Sequence, residues 1–67
     1  MDWLIQRVAD GAVTYRTKAG AFVGDPKLAF GYISLASARR RKIALNSAER
    51  GAAVYFVVSG AAREDKR

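Results

Sequence analysis

The 67-residue chain contains no cysteine and no histidine. Without cysteine there is no disulfide, no thiolate nucleophile and no zinc ribbon or finger. Lacking histidine, it has neither the usual general base nor the usual nitrogen ligand for zinc, copper or iron, which leaves only hard oxygen sites for calcium or magnesium. The carboxylates available for such a site are Asp2, Asp10, Asp25, Glu49, Glu64 and Asp65, scattered without paired or EF-hand spacing. Metal and cofactor are therefore both expected to be none. No apolar run approaches the roughly 18 residues needed to cross a bilayer, and the start, MDWLIQRVADG, has no basic region before its short apolar stretch. The expected location is the cytoplasm, with no membrane partner.

Catalytic motifs are missing as well. Ser34 has Ser37 three residues on and Ser37 has Arg40, so no Ser-x-x-Lys pair exists, and no second carboxylate lies near Asp25. Neither a P-loop nor a Gly-x-Gly-x-x-Gly fingerprint is present to cradle phosphates. The expectation is a protein that is not an enzyme, with catalytic residues none.

What the chain does have is apolar and basic residues. At 51% hydrophobic it is too apolar for a disordered tail. A chain this short buries only about 60% of its unfolded surface, so its core must be thin. Twelve Lys and Arg against six Asp and Glu give a net charge of +6. Between Pro26 and Ala48 lie Lys27 and the run Arg39, Arg40, Arg41 and Lys42, with no acid among them. Such a field attracts polyanions or an acidic protein surface, and it also keeps a small protein soluble.

The order of elements follows from turn residues and periodicity. Trp3 to Val8 reads as a strand, Asp10-Gly11 as a tight type I′ hairpin turn, and Ala12 to Thr17 as the return strand. In that register Val8 faces Val13, Gln6 faces Tyr15 and Leu4 faces Thr17 on an apolar face. Trp3, Ile5, Arg7, Thr14, Arg16 and Lys18 share the opposite, basic face. A short strand at Ala21 to Val23 ends at Gly24-Asp25-Pro26. Lys27 to Ile33 reads either as one helical turn with an extended exit or as a strand. Ser34 is a candidate N-cap for a helix from Leu35 to about Ala48; a strand over Lys42 to Leu45 is the competing assignment. Ala38, Leu45 and Leu35 mark the helix's buried side, with Arg41 and Lys42 at its border and Arg39 and Arg40 pointing outward. Gly51 ends this region. Ala52 to Val58, apolar on both faces, reads as a strand internal to the sheet. The expected fold is α+β, a small antiparallel sheet of about four strands with one helix on one face (β-β-β-α-β), over a single domain of residues 1–58 followed by a flexible charged tail, 59–67.

Two resemblances bear on function. Phe30-Gly31-Tyr32-Ile33 resembles the aromatic motif on the third strand of RNA-recognition-motif domains, with Leu28 where that motif has a basic residue and Ala29 where it has glycine. That fold needs a strand, a helix and another strand before the motif, for which 27 residues carrying a hairpin leave no room; Phe30 and Tyr32 then read as core aromatics beside the helix start.

The second covers about residues 3 to 58. Trp3-Leu4-Ile5, Tyr15, Gly20 to Val23, Asp25, and Ala29, Tyr32, Ser34 and Ala38 leading into a helix and a valine-rich strand are similar in order to very small phage and mobile-element proteins of β-β-β-α-β build, anti-CRISPR proteins among them. This resemblance implies an inhibitor that occupies a surface, and it carries no functional residue across. Three readings follow. The first is a non-catalytic inhibitor of a host protein or ribonucleoprotein complex that handles nucleic acid, such as a CRISPR effector, that blocks its target binding, anchored by Arg39 and Arg40. The second is a small basic DNA- or RNA-binding protein using Trp3, Arg7, Arg16 and Lys18 on the sheet and Arg39, Arg40, Arg41 and Lys42 on the helix. The third is a homo-oligomeric module paired through an exposed Tyr55 and Val57 or an edge strand.

Overall fold

A computed structural model describes residues 2–61. Strand β1 (Trp3–Ala9) turns at Asp10-Gly11 into β2 (Ala12–Arg16). Both turn residues have positive φ, 52° and 77°, as the expected type I′ turn demands. The hairpin register is the one read from the sequence, Gln6 opposite Tyr15 and Val8 opposite Val13. A two-residue β3 (Phe22–Val23) returns along β2. Next comes a single 3₁₀ turn, Pro26–Leu28, capped by the Asp25 side chain, and its exit is extended. The helical-turn version of that segment holds.

Helix α1 (Leu35–Glu49) begins at Ser34, whose Oγ accepts from the Ser37 N–H at 3.3 Å. It runs unbroken through 42–45, which rules out the strand alternative there. Arg50 closes it in the left-handed region at φ 51°, and Gly51 follows at φ 94°. The last strand, β4 (Val54–Ser59), pairs antiparallel with β1. The sheet order is β3-β2-β1-β4. The molecule is thus an α+β domain of β-β-β-α-β order with its helix against a four-stranded antiparallel sheet.

Three expectations need correction. Strand β4 lies at the sheet edge, with β1 in the interior; its two-sided apolar pattern arises because one side meets α1 while Val54 and Phe56 on the other stay about half exposed (47% and 46%). The helix covers the face that carries Trp3, Ile5 and Arg7, which the hairpin alone presented as basic. Register explains this: β4 sets Tyr55 beside Arg7 and Val57 beside Ile5, and β3 sets Phe22 beside Arg16, so large apolar groups accumulate on that face. The core is Ile5, Ala38, Ala53 and Tyr55, with Trp3, Phe22, Tyr32, Leu45 and Val57 packed around it. Finally, the fold extends past residue 58. Ser59 belongs to β4, and the Gly60 N–H donates to the Asp2 carbonyl at 2.8 Å. Gly60 sits so close to Asp2 that a Cβ there would collide with the Asp2 carboxylate and press on its main-chain oxygen. Residues 62–67 of the expected tail lie outside the described residues.

Leu4 and Thr17 do not pair, because β2 ends at Arg16 and Tyr32 takes the place beside Trp3. Trp3 and Tyr32 exchange two main-chain hydrogen bonds of 2.8 Å, and the Phe30 N–H donates to the Arg16 carbonyl at 3.0 Å. Phe30 and Tyr32 meet edge-on with ring centroids 4.8 Å apart. The β-β-β-α-β order differs from that of an RNA-recognition motif, and Tyr32 packs against the core.

Helix and edge strand are joined by one side chain. The Asn46 carboxamide oxygen accepts from the Tyr55 N–H at 2.9 Å, and its nitrogen donates to the Tyr55 carbonyl at 3.3 Å. Asn46 supplies both bonds that a neighbouring strand would otherwise make. Replacing it by alanine strands two part-buried main-chain groups, at a cost of about 1–3 kcal/mol for an unsatisfied group. Asn46→Ala is therefore expected to lower the free energy of unfolding in a denaturant titration by that amount and to speed hydrogen exchange of the Tyr55 amide.

Candidate functional site

The four cations of the helix do not act as one patch. At about 100° per residue, Ala38, Lys42, Leu45, Asn46 and Glu49 share one inward arc, Arg39 and Arg41 lie about 70–90° to either side of its centre, and Arg40 points away from the sheet. Lys42 is half-buried at the border, as expected, while Arg39, Arg40 and Arg41 are all exposed. Arg41 lies further out than expected, because the Asn46 contact turns the Asn46 and Glu49 side of the helix toward the sheet. Among the described residues the single ion pair is Arg7–Glu49, so the three helix arginines have no carboxylate partner there.

Two depressions flank α1 and divide the cations between them. On one side Arg40 and Arg41 border a shallow hollow with Tyr32, Ser37 and Ala44. On the other, Arg39 and Lys42 rise beside the β4 edge over a groove of about 430 Å³ lined by Trp3, Leu35, Phe56 and Val57. The arrangement offers charge and shape but no chemistry. Among the described residues no three potential metal ligands come together.

The sheet cations occupy another environment. Arg7 extends beneath the helix: its Nε donates to the Tyr55 hydroxyl at 3.1 Å, its guanidinium lies 5.5 Å from the Phe22 ring centroid, and its Nη2 is 3.8 Å from a Glu49 carboxylate oxygen. Arg16 donates from Nη1 to the Tyr32 hydroxyl at 3.0 Å. Trp3 is half-buried, between Tyr32 and Ser59. Lys18 is exposed in the turn before β3. The structure therefore does not assemble Trp3, Arg7, Arg16 and Lys18 into an open platform, because α1 packs on that face. Tyr55, proposed above as an exposed pairing residue, is buried at 2% exposure; Val57 is half-buried at the edge.

Asn46 escaped the sequence reading. Its available signal was position: an asparagine, a weak helix former, next to Leu45 on the apolar arc.

No family model matches the chain, and neither a curated protein nor a solved structure matches it. Among the described residues no helix is long and apolar enough to cross a membrane.

Two expected outcomes separate internal cations from surface ones. Arg7→Met keeps the apolar stem but leaves the Tyr55 hydroxyl without its donor, and should cost about 1–3 kcal/mol in chemical denaturation. Glu49→Gln removes only a partly exposed ion pair, worth about 0–1 kcal/mol. Arg40→Ala, at an exposed site, should stay within about 0.5 kcal/mol of the parent.

Proposed function

We propose that this protein is a non-catalytic inhibitor that docks on a host nucleic-acid-handling complex, of the CRISPR-effector kind, and blocks its target binding. The observation that carries the reading is that Arg39, Arg40 and Arg41 are all exposed around one helix, with no carboxylate partner among the described residues. Arginine holds carboxylates and phosphates through a planar fork, and it is enriched at interfaces. A protein of net charge +6 cannot imitate DNA by charge; it covers an acidic or RNA-bearing surface instead. The thin core suits such a role, because a bound partner stabilises the folded state by mass action. The likeness in element order to small phage and mobile-element inhibitors points the same way.

Direct nucleic-acid binding is favoured by a separate observation, the hollow where Arg40 and Arg41 stand beside Tyr32 and Ser37. Two guanidinium groups and a hydroxyl-bearing rim suit a phosphate.

One pair of measurements decides between them. Purified CRISPR effector complexes are incubated with the protein and then with labelled target DNA, and naked DNA and RNA are titrated by fluorescence anisotropy from about 50 to 200 mM salt. Under the inhibitor reading, an effector loses its target shift, the Arg39→Ala/Arg40→Ala variant restores it, and naked oligonucleotides bind weakly. Tight binding to naked oligonucleotides, falling with salt by about 0.9 in log K per log salt for each duplex phosphate neutralised, would replace that reading with direct recognition.

A further inference from the structure

The hydrogen-bond pattern fixes which way the main chain of β4 faces. Asn46 reaches Tyr55 from outside the sheet, while the Gly60 N–H points inward to Asp2. Because main-chain direction alternates along an antiparallel strand, Val57 and Ser59 turn their N–H and C=O groups outward, as Tyr55 does. Among the described residues, no hydrogen bond satisfies the outward groups of Val57. Asn46 thus seals one end of this edge; among the described residues the outward groups of Val57 stay open, and at Ser59, whose Oγ accepts from the Ala61 N–H at 3.1 Å, the chain leaves the strand. An open strand edge is a template for another strand.

The walls beside that opening are specific. On the helix side stand Arg39 and Lys42, with Leu35 and Trp3 beneath them. Phe56, which also borders the groove at the β4 edge, turns its side chain to the other face of the sheet, where it is 46% exposed. Successive side chains of an added strand point to opposite faces. Every second residue would enter the groove under Arg39 and Lys42, and those between would lie against Phe56 and Val58.

We infer that the β4 edge at Val57 captures an extended, acidic segment of a partner protein by strand addition, with carboxylates toward Arg39 and Lys42 and apolar side chains toward Phe56. Charge selects this occupant over a second copy of the chain, which would bring its own Arg39 and Lys42 and a net charge of +6 to the same seam. Main-chain bonds supply affinity in this mode of recognition, and alternate side chains supply specificity. The inference rests on the docking reading only for a protein being the partner. The edge geometry stands apart from it.

The test uses the full chain and a fluorescein-labelled peptide of roughly eight alternating glutamate and valine residues, a length that spans an edge strand. A copy of the peptide N-methylated at alternate residues keeps its charge but loses its main-chain donors. The expected result is saturable binding of the first peptide, with at least tenfold weaker binding of the N-methylated copy and of a lysine-valine peptide. The Arg39→Ala/Lys42→Ala variant should lose at least tenfold as well. Val57→Pro, which removes an outward N–H without touching the β1 ladder, should do the same, with circular dichroism reporting whether the variant is folded; the N-methylated peptide decides the matter if it is not. Equal affinity for the N-methylated peptide would reduce the interaction to bulk electrostatics and overturn the inference. No peptide binding, together with dimers in sedimentation equilibrium that dissolve in Val57→Pro, would assign the edge to a second copy and overturn it equally. Peptide capture without inhibition of any effector would reject the docking reading and leave the strand-addition site standing.

Discussion

Tyr55 is the point at which every layer of this small domain meets. Its ring lies 5.7 Å from that of Phe22, its hydroxyl accepts from Arg7, and its main chain is held on the outer side by Asn46. The residue thereby ties β3, β1 and α1 to the edge strand. Few large side chains are fully buried, and Tyr55, Leu4 and Ile5 are the largest. With so little apolar volume, a polar link that positions the helix carries more weight than it would in a larger core. Asn46 engages β4 at Tyr55, and among the described residues no hydrogen bond meets the outward main chain of Val57 beyond it.

The same geometry sorts the cations. Those on the sheet, Arg7 and Arg16, reach tyrosine hydroxyls and serve the fold. Those on the helix are thrown around its circumference by the 3.6-residue turn, so neighbours in sequence face different surroundings. Arg39 and Lys42 look over the strand edge, and Arg40 and Arg41 flank the hollow by Tyr32. A run of four like charges is thus two separate pairs on either side of one helix. This division lets a single short element contribute to two distinct surfaces.

Much of the fold was legible in the residue order. The Asp10-Gly11 turn set the hairpin register, Ser34 marked the helix start, and Gly51 its end, because each of these depends on chemistry within a few residues. Less of the candidate site was. Arg39 and Arg40 stood out as exposed from helical periodicity alone, but the hairpin taken by itself pointed to the wrong open face. Arg7 and Trp3 looked available because nothing in their own strand shows what lies above them. Their burial is decided by Tyr55, Val57 and Phe22, which are brought alongside by strands distant in sequence.

By itself, then, the sequence determined the α+β class, the order β-β-β-α-β, the helix and hairpin boundaries, and the excess of positive charge. These are local matters of turn dihedrals, capping and periodicity. Only the tertiary structure decided that β4 sits at the edge, that α1 packs on the Trp3 and Ile5 face, and that Asn46 stands in for a missing neighbour strand. Both faces of the hairpin carry enough apolar surface to receive a helix, so no local rule could choose between them. The choice falls to long-range pairing, in which one strand's register places every side chain of the next.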